Sequence, residues 1–132
     1  MYLLDTNICI YIIKKKPVEA LRKLKRKSTK DIFISSITVA ELEHGVAKSN
    51  FPEKNKLSLM EFISIFQILY YTDIDASMYG KIRAGLESKG QIIGTMDMLI
   101  ASQALSHNLI LVTNNEREFE RIDNLKIENW TK

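Results

Sequence analysis

Three acidic residues stand where a carboxylate can do chemistry. Asp5 follows the apolar run YLL and precedes TNICIYII, Glu41 lies in SITVAELEHG, and Asp97 lies in GTMDMLIASQAL. Each also has a plain structural explanation. Asp5 can cap the helix that follows it, and Thr38 and Glu41 have the Ser/Thr-x-x-Glu spacing of a capping box. Asp97 falls in the first turn after Thr95, where the helix dipole favours a negative charge. If the three converge instead, with no basic partner, their mutual repulsion needs a hard divalent cation, and Mg2+ or Mn2+ suits an oxygen-only set. Such a centre can position a phosphate, lower the pKa of a bound water to make a nucleophile, and neutralise a leaving oxygen. Phosphate-ester chemistry is what these residues can support together. Zinc does not fit, because Cys9, His44 and His107 show no ligand spacing. The chain also has no GxxxxGK[ST] loop, GxSxG elbow or GxGxxG fingerprint.

Convergence depends on the elements that carry the acids. Four β-type runs stand out, YLL before Asp5, IFIS at 32–35, QILYY at 67–71 and LILVT at 109–113, each followed by a turn or capping residue and a helical pattern. A short strand at 125–128 completes the set. Alternating strands and helices predict an α/β fold, a parallel β-sheet flanked by α-helices on both sides. In such a sheet every strand's carboxyl end lies on one edge, where ligands bind, so strand-end acids meet there.

The helices follow from apolar stripes. Pro17 suits the first position of a helix to Lys27, with Val18, Leu21 and Leu24 inward and Arg22, Lys23, Lys25 and Arg26 outward. A second helix spans Val39 to Ala47. The polar loop SNFPEKN separates it from a third that carries Leu59, Phe62, Ile63 and Phe66, and the two form a helical hairpin. A fourth runs from Asp75 to Lys89 with Met78, Ile82 and Leu86 on one stripe, stopped by Gly90. The last begins near Thr95 and turns Met98, Ala101 and Leu105 inward.

The 132 residues fit one domain, 1–132, that can bury about two-thirds of its unfolded surface. The single cysteine, Cys9, lies in the apolar run ICIYII and reads as a packing residue in a reducing compartment. The N-terminal apolar run is broken by Asp5 and Asn7 and has its positive charges after it, unlike a signal peptide, and nothing resembles a membrane span. A cytoplasmic protein is expected. Between Lys14 and Lys30 nine basic residues face only Glu19, a local charge of +8, which leaves −5 on the rest of a chain whose net charge is +3. That segment is either a footprint for a polyanion such as nucleic acid or a solvated helix face.

LLDTN, SSITVAELEHG, IGTMDMLIASQAL and LILVTNNEREFERI occur in the order and approximate spacing of a PIN-domain ribonuclease of the VapC toxin type, and the resemblance runs to the closing KIENW. It implies a PIN fold and magnesium- or manganese-dependent endonucleolytic cleavage of a structured RNA such as transfer or ribosomal RNA. It also implies a homodimer, silenced by a small cognate antitoxin of the VapB type that occupies the cleft. By motif, Asp5, Glu41 and Asp97 match the family's acidic metal-site residues, with Asp5 and Asp97 as direct ligands and Glu41 acting directly or through water. At the fourth acidic position this chain has Asn115, which can coordinate a metal or orient water but brings no charge, so a second metal ion is not implied; Glu116 or Glu118 could substitute, though each at a helix start also reads as a solvated partner of the helix dipole. Asn7 and Thr113 are candidates to orient the acids. Two other readings compete: a phosphatase with Asp5 as nucleophile, weakened by Asn7 where a second aspartate would stand, and a non-catalytic RNA-binding or interaction module with a PIN fold, encouraged by Asn115.

Overall fold

Every second residue of the short central strands faces the opposite side of the sheet, and this splits the interior into two cores. The computed structural model describes residues 1–132. Five strands, β1 (Tyr2–Leu4), β2 (Ile32–Ser35), β3 (Gln67–Leu69), β4 (Ile110–Val112) and β5 (Ile127–Glu128), form one all-parallel sheet in the order β3-β2-β1-β4-β5. Leu3 and Leu111 point into one core and Leu4, Ile32, Ile34 and Val112 into the other, as the two-residue strand period requires.

The second core is closed by α1 (Thr6–Lys14), α2 (Val18–Lys25), α3 (Ser36–Ala47) and α4 (Pro52–Ile65), the first by α5 (Asp73–Ser88), α6 (Thr95–Ser106) and the short α7 (Glu116–Phe119). Near the C-terminus Trp130 is buried, its ring edge-on to Tyr2 at 5.3 Å. Cys9 is fully buried, and burial pushes its thiol well above the usual range, so it behaves as a packing residue.

Several boundaries differ from the sequence-based expectation. Helix α3 begins at Ser36, because Ser35 rather than Thr38 is its N-cap and accepts the Ile37 N–H at 3.0 Å. Helix α4 begins at Pro52, so PEKN is a solvated first turn rather than loop. In α2, Pro17 is the N-cap, Val18 is exposed, and Ala20, Leu21 and Leu24 face inward. Strand β3 stops at Leu69, and the Tyr71 N–H leaves the sheet for Ser36 Oγ at 3.1 Å. Because Ser35 is fully buried, Ser35→Ala should destabilise the protein by about 1 kcal/mol. A urea midpoint equal to wild type would contradict that.

Candidate active site

Asp5, the residue after β1, is held by its two strand neighbours' geometry. The register pairs Leu4 with Val112 on one side and Ile34 on the other, so Asp5 falls beside Thr113 and Ser35 on the carboxyl edge. Asp5 is 3% exposed; its Oδ2 accepts the Thr113 hydroxyl at 2.8 Å and its Oδ1 the Thr6 N–H at 2.8 Å. Each oxygen keeps a lone pair free. Burial raises its pKa, the Thr113 and Thr6 hydrogen bonds pull it back, and the charge of Glu41 raises it further.

Glu41 is not a cap. It lies in the middle of α3, half-buried, and its Oε1 accepts the Thr6 hydroxyl at 2.6 Å, while Thr38 Oγ1 stands 3.1 Å from Thr6 Oγ1. The capping box expected at Thr38 and Glu41 is replaced by a contact across the cleft to α1. Helix α6 must return the chain to the start of the parallel β4, so its N-terminus lies on the same edge and delivers Asp97 there. Burial first, and then the charges of Asp5, Glu118 and Glu41 in that order, together push the Asp97 pKa up to about 6.

Of the two acids that follow Asn115, Glu118 is the one whose charge reaches Asp97. Asn115 Nδ2 donates to Glu118 Oε2 at 3.1 Å, and its backbone N–H donates to Thr113 Oγ1 at 2.9 Å. Glu116, two residues earlier, is turned away to Lys132 at 2.9 Å and Asn129 at 3.2 Å, and the Lys132 hydrogen bond lowers its pKa. Glu118, hydrogen-bonded by Asn115, is thus the acid of α7 left free of basic partners near Asp97. Asn7, expected to orient the acids, is exposed and makes no hydrogen bond to them; Thr6 does so instead. His44 is exposed on α3, and His107 lies 3.2 Å from the buried Asp75.

The donor chemistry of the cleft fits a hard divalent cation. None of Asp5, Glu41, Asp97 and Glu118 takes part in any of the chain's ion pairs, although Lys14 lines the groove next to Glu41. As they stand, no three of the chain's acidic, histidine or cysteine side chains are grouped so as to hold a metal ion. Burial first, and the neighbouring carboxylates after it, hold Asp97 toward its protonated form. Beyond Glu41, a groove of about 460 Å3 continues between α1, α3 and α4, floored by Ile10, Leu42 and Leu59.

A five-stranded parallel sheet with acids gathered at its carboxyl edge is the arrangement of a PIN domain, and the PIN domain family model matches residues 2–125. The chain belongs to the PIN-domain family, in its VapC branch. It is 47% identical over 129 residues to the ribonuclease VapC2 of Haemophilus influenzae, covering 98% of this chain and 97% of that protein. It is 42% identical to the tRNA(fMet)-specific endonuclease VapC of Shigella flexneri, covering 98% of each. Among solved structures, the VapBC2 complex of Rickettsia felis bound to a promoter DNA fragment contains a chain similar at TM-score 0.92 and 46% identity, with 98% of both chains covered. The phosphatase reading falls with this assignment.

Proposed function

We propose that the chain is a divalent-metal-dependent endoribonuclease, the toxin of a type II toxin–antitoxin pair. The observation that carries the reading is the unpaired acidic cleft of Asp5, Glu41, Asp97 and Glu118 on the sheet's carboxyl edge. Asp5 and Asp97 are the direct ligands for Mg2+ or Mn2+, with Glu41 and Glu118 completing the acidic rim. A bound ion supplies charge neutralisation at the phosphate and a water of lowered pKa. The chain's own residues do the rest. Thr113 and the Thr6 N–H fix both oxygens of Asp5, so its free lone pairs point in set directions. Asn115 holds Glu118.

The relatives' ribonuclease activity points to RNA as substrate, and the Shigella flexneri protein to a transfer RNA or another structured RNA. On α2, Arg22, Lys25 and Arg26 are exposed and available for phosphate contacts. Lys23 donates to Asn129 O at 3.3 Å and Lys27 lies 4.9 Å from the Tyr2 ring centroid, so these two are tied to the fold. The VapBC complex supports a cognate antitoxin as partner, and the family resemblance a homodimer. No helix is long and apolar enough to cross a membrane; the cytoplasm, where RNA and antitoxin are met, is the proposed site of action. Three intact acidic positions and relatives named as ribonucleases speak against the non-catalytic alternative.

The test is incubation of the purified chain with total cellular RNA in Mg2+, in Mn2+ and in EDTA. Discrete fragments in the metal samples and intact RNA in EDTA are expected. RNA retention without cleavage in all three would favour the non-catalytic alternative, and cleavage undiminished by EDTA would remove the metal from the mechanism.

A further inference from the structure

The contact between Thr6 and Glu41 does more than satisfy a hydroxyl. Thr6 has a single hydroxyl proton, and a carboxylate can only accept, so the 2.6 Å contact to Glu41 Oε1 takes that proton. The hydroxyl of Thr38, 3.1 Å away, is then left to donate to Thr6. Thr38 is fully buried and has no other side-chain partner, although a helical threonine commonly turns its hydroxyl back on its own helix. A buried hydroxyl is costly when unpaired, so this orientation is held firmly. The result is a directed chain from Thr38 to Thr6 to Glu41 that joins α3 to the first residue of α1. Thr38 and Glu41, three apart on α3, share a face, and Thr6 is the residue that couples them.

We propose that Thr6 is a positioning residue, its hydroxyl setting where the Glu41 carboxylate stands in the cleft and so how tightly the centre takes a divalent cation. The backbone of Thr6 already serves Asp5 through its N–H. One residue thus orients two acids, Asp5 by its main chain and Glu41 by its side chain, and only the second task depends on the side chain. Glu41 keeps Oε2 free of protein partners, available to the cation or its water shell. This inference rests on the metal-centre reading above and adds to it a residue that the acidic motif does not contain.

The experiment is calorimetric titration of Mn2+ into the purified full chain, for wild type, Thr6→Val, Thr6→Ser, Glu41→Gln, the pair Thr6→Val with Glu41→Gln, and Asp5→Asn. Thr6→Val should weaken Mn2+ binding by about 10-fold or more, the loss usual when a hydrogen bond behind a ligand is removed. Thr6→Ser, which keeps the hydroxyl, should stay within about twofold of wild type, and Thr6→Val should add no further loss in the Glu41→Gln background. Thr6→Val alone strands the Thr38 hydroxyl, so Thr6→Val combined with Thr38→Val is the second variant. It should recover the melting temperature and retain the weakened affinity. Wild-type affinity in Thr6→Val, equal loss in Thr6→Ser, or an additive loss in the Glu41→Gln background would each overturn the proposal. If Asp5→Asn loses Mn2+ while Thr6→Val does not, the positioning role alone falls. If Asp5→Asn and wild type take Mn2+ equally, the metal-centre reading falls and carries this one with it.

Discussion

Asp5→Asn should slow divalent-ion-dependent RNA cleavage by about 10^2-fold or more, the order of loss seen when one preorganised charge-stabilising group is removed from an active site. The fold should tolerate it. Asp5 is 3% exposed, and its oxygens take one donor each, from Thr113 and from the Thr6 N–H. An asparagine amide keeps one accepting oxygen, and the Thr113 hydroxyl, which already accepts the Asn115 N–H, can also accept the new NH2, at a cost of about 1–3 kcal/mol for leaving its own buried proton unpaired. What cannot be replaced is the charge, in a cleft whose only means of holding a cation is negative charge. Single-turnover cleavage of a transfer RNA pool, with melting temperature as the folding control, measures the effect. Glu118→Gln should also lose activity, and Glu116→Gln should not, because Glu116 is occupied by Lys132 and Asn129. Full activity in Asp5→Asn would remove the proposed mechanism.

Asp97→Asn should have opposite effects on function and on stability. The folded protein raises the Asp97 pKa from 3.8 to about 6, so it binds that proton more tightly than the unfolded chain does. Below about pH 4 the group is protonated in both states and contributes nothing. Between about pH 4 and 6 the unfolded chain ionises first, stability falls as pH rises, and above pH 6 the penalty is complete. The full shift would be worth about 3 kcal/mol; water at this half-buried position reduces it to about 1–2 kcal/mol. Asparagine removes the penalty. Metal-free Asp97→Asn should therefore be more stable than wild type at pH 7, with the gap closing near pH 4. Added Mn2+ should narrow the gap at pH 7 by stabilising wild type more. A variant that unfolds at lower urea than wild type at pH 7, without metal, would show that Asp97 is not under this strain.

The parts of the molecule that were legible in the sequence are those governed by short-range periodicity. The run YLL became β1 and IFIS became β2 without shift, because alternate residues had to serve two cores. The parts that were not legible depend on partners distant in the chain. Thr38 and Glu41 have the spacing of a cap, and only Thr6, brought 32 residues across by the sheet, turns them into a contact between helices. The choice between Glu116 and Glu118 was undecidable from two acids on one short helix. Lys132 and Asn129 decide it by claiming the first. The start of α4 was lost for a different reason, since PEKN is as polar as a loop and its helical state shows only in the proline at the first position. Tyr70 and Tyr71 have strand-forming side chains, but β3 is an edge strand, and its ladder with β2 ends at Leu69.

The burial of α6 bears on how the cleft can move. Met98, Ile100, Ala101, Ser102, Gln103 and Ala104 are all buried, so this helix is enclosed nearly all round, whereas α2 buries only Ala20. A segment so enclosed should exchange its amide hydrogens more slowly than α2 does. Asp97 stands at the entrance to this segment, directly before the buried Met98, and is anchored by it. Across the cleft the wall is joined differently, α3 being tied to α1 by hydroxyl groups.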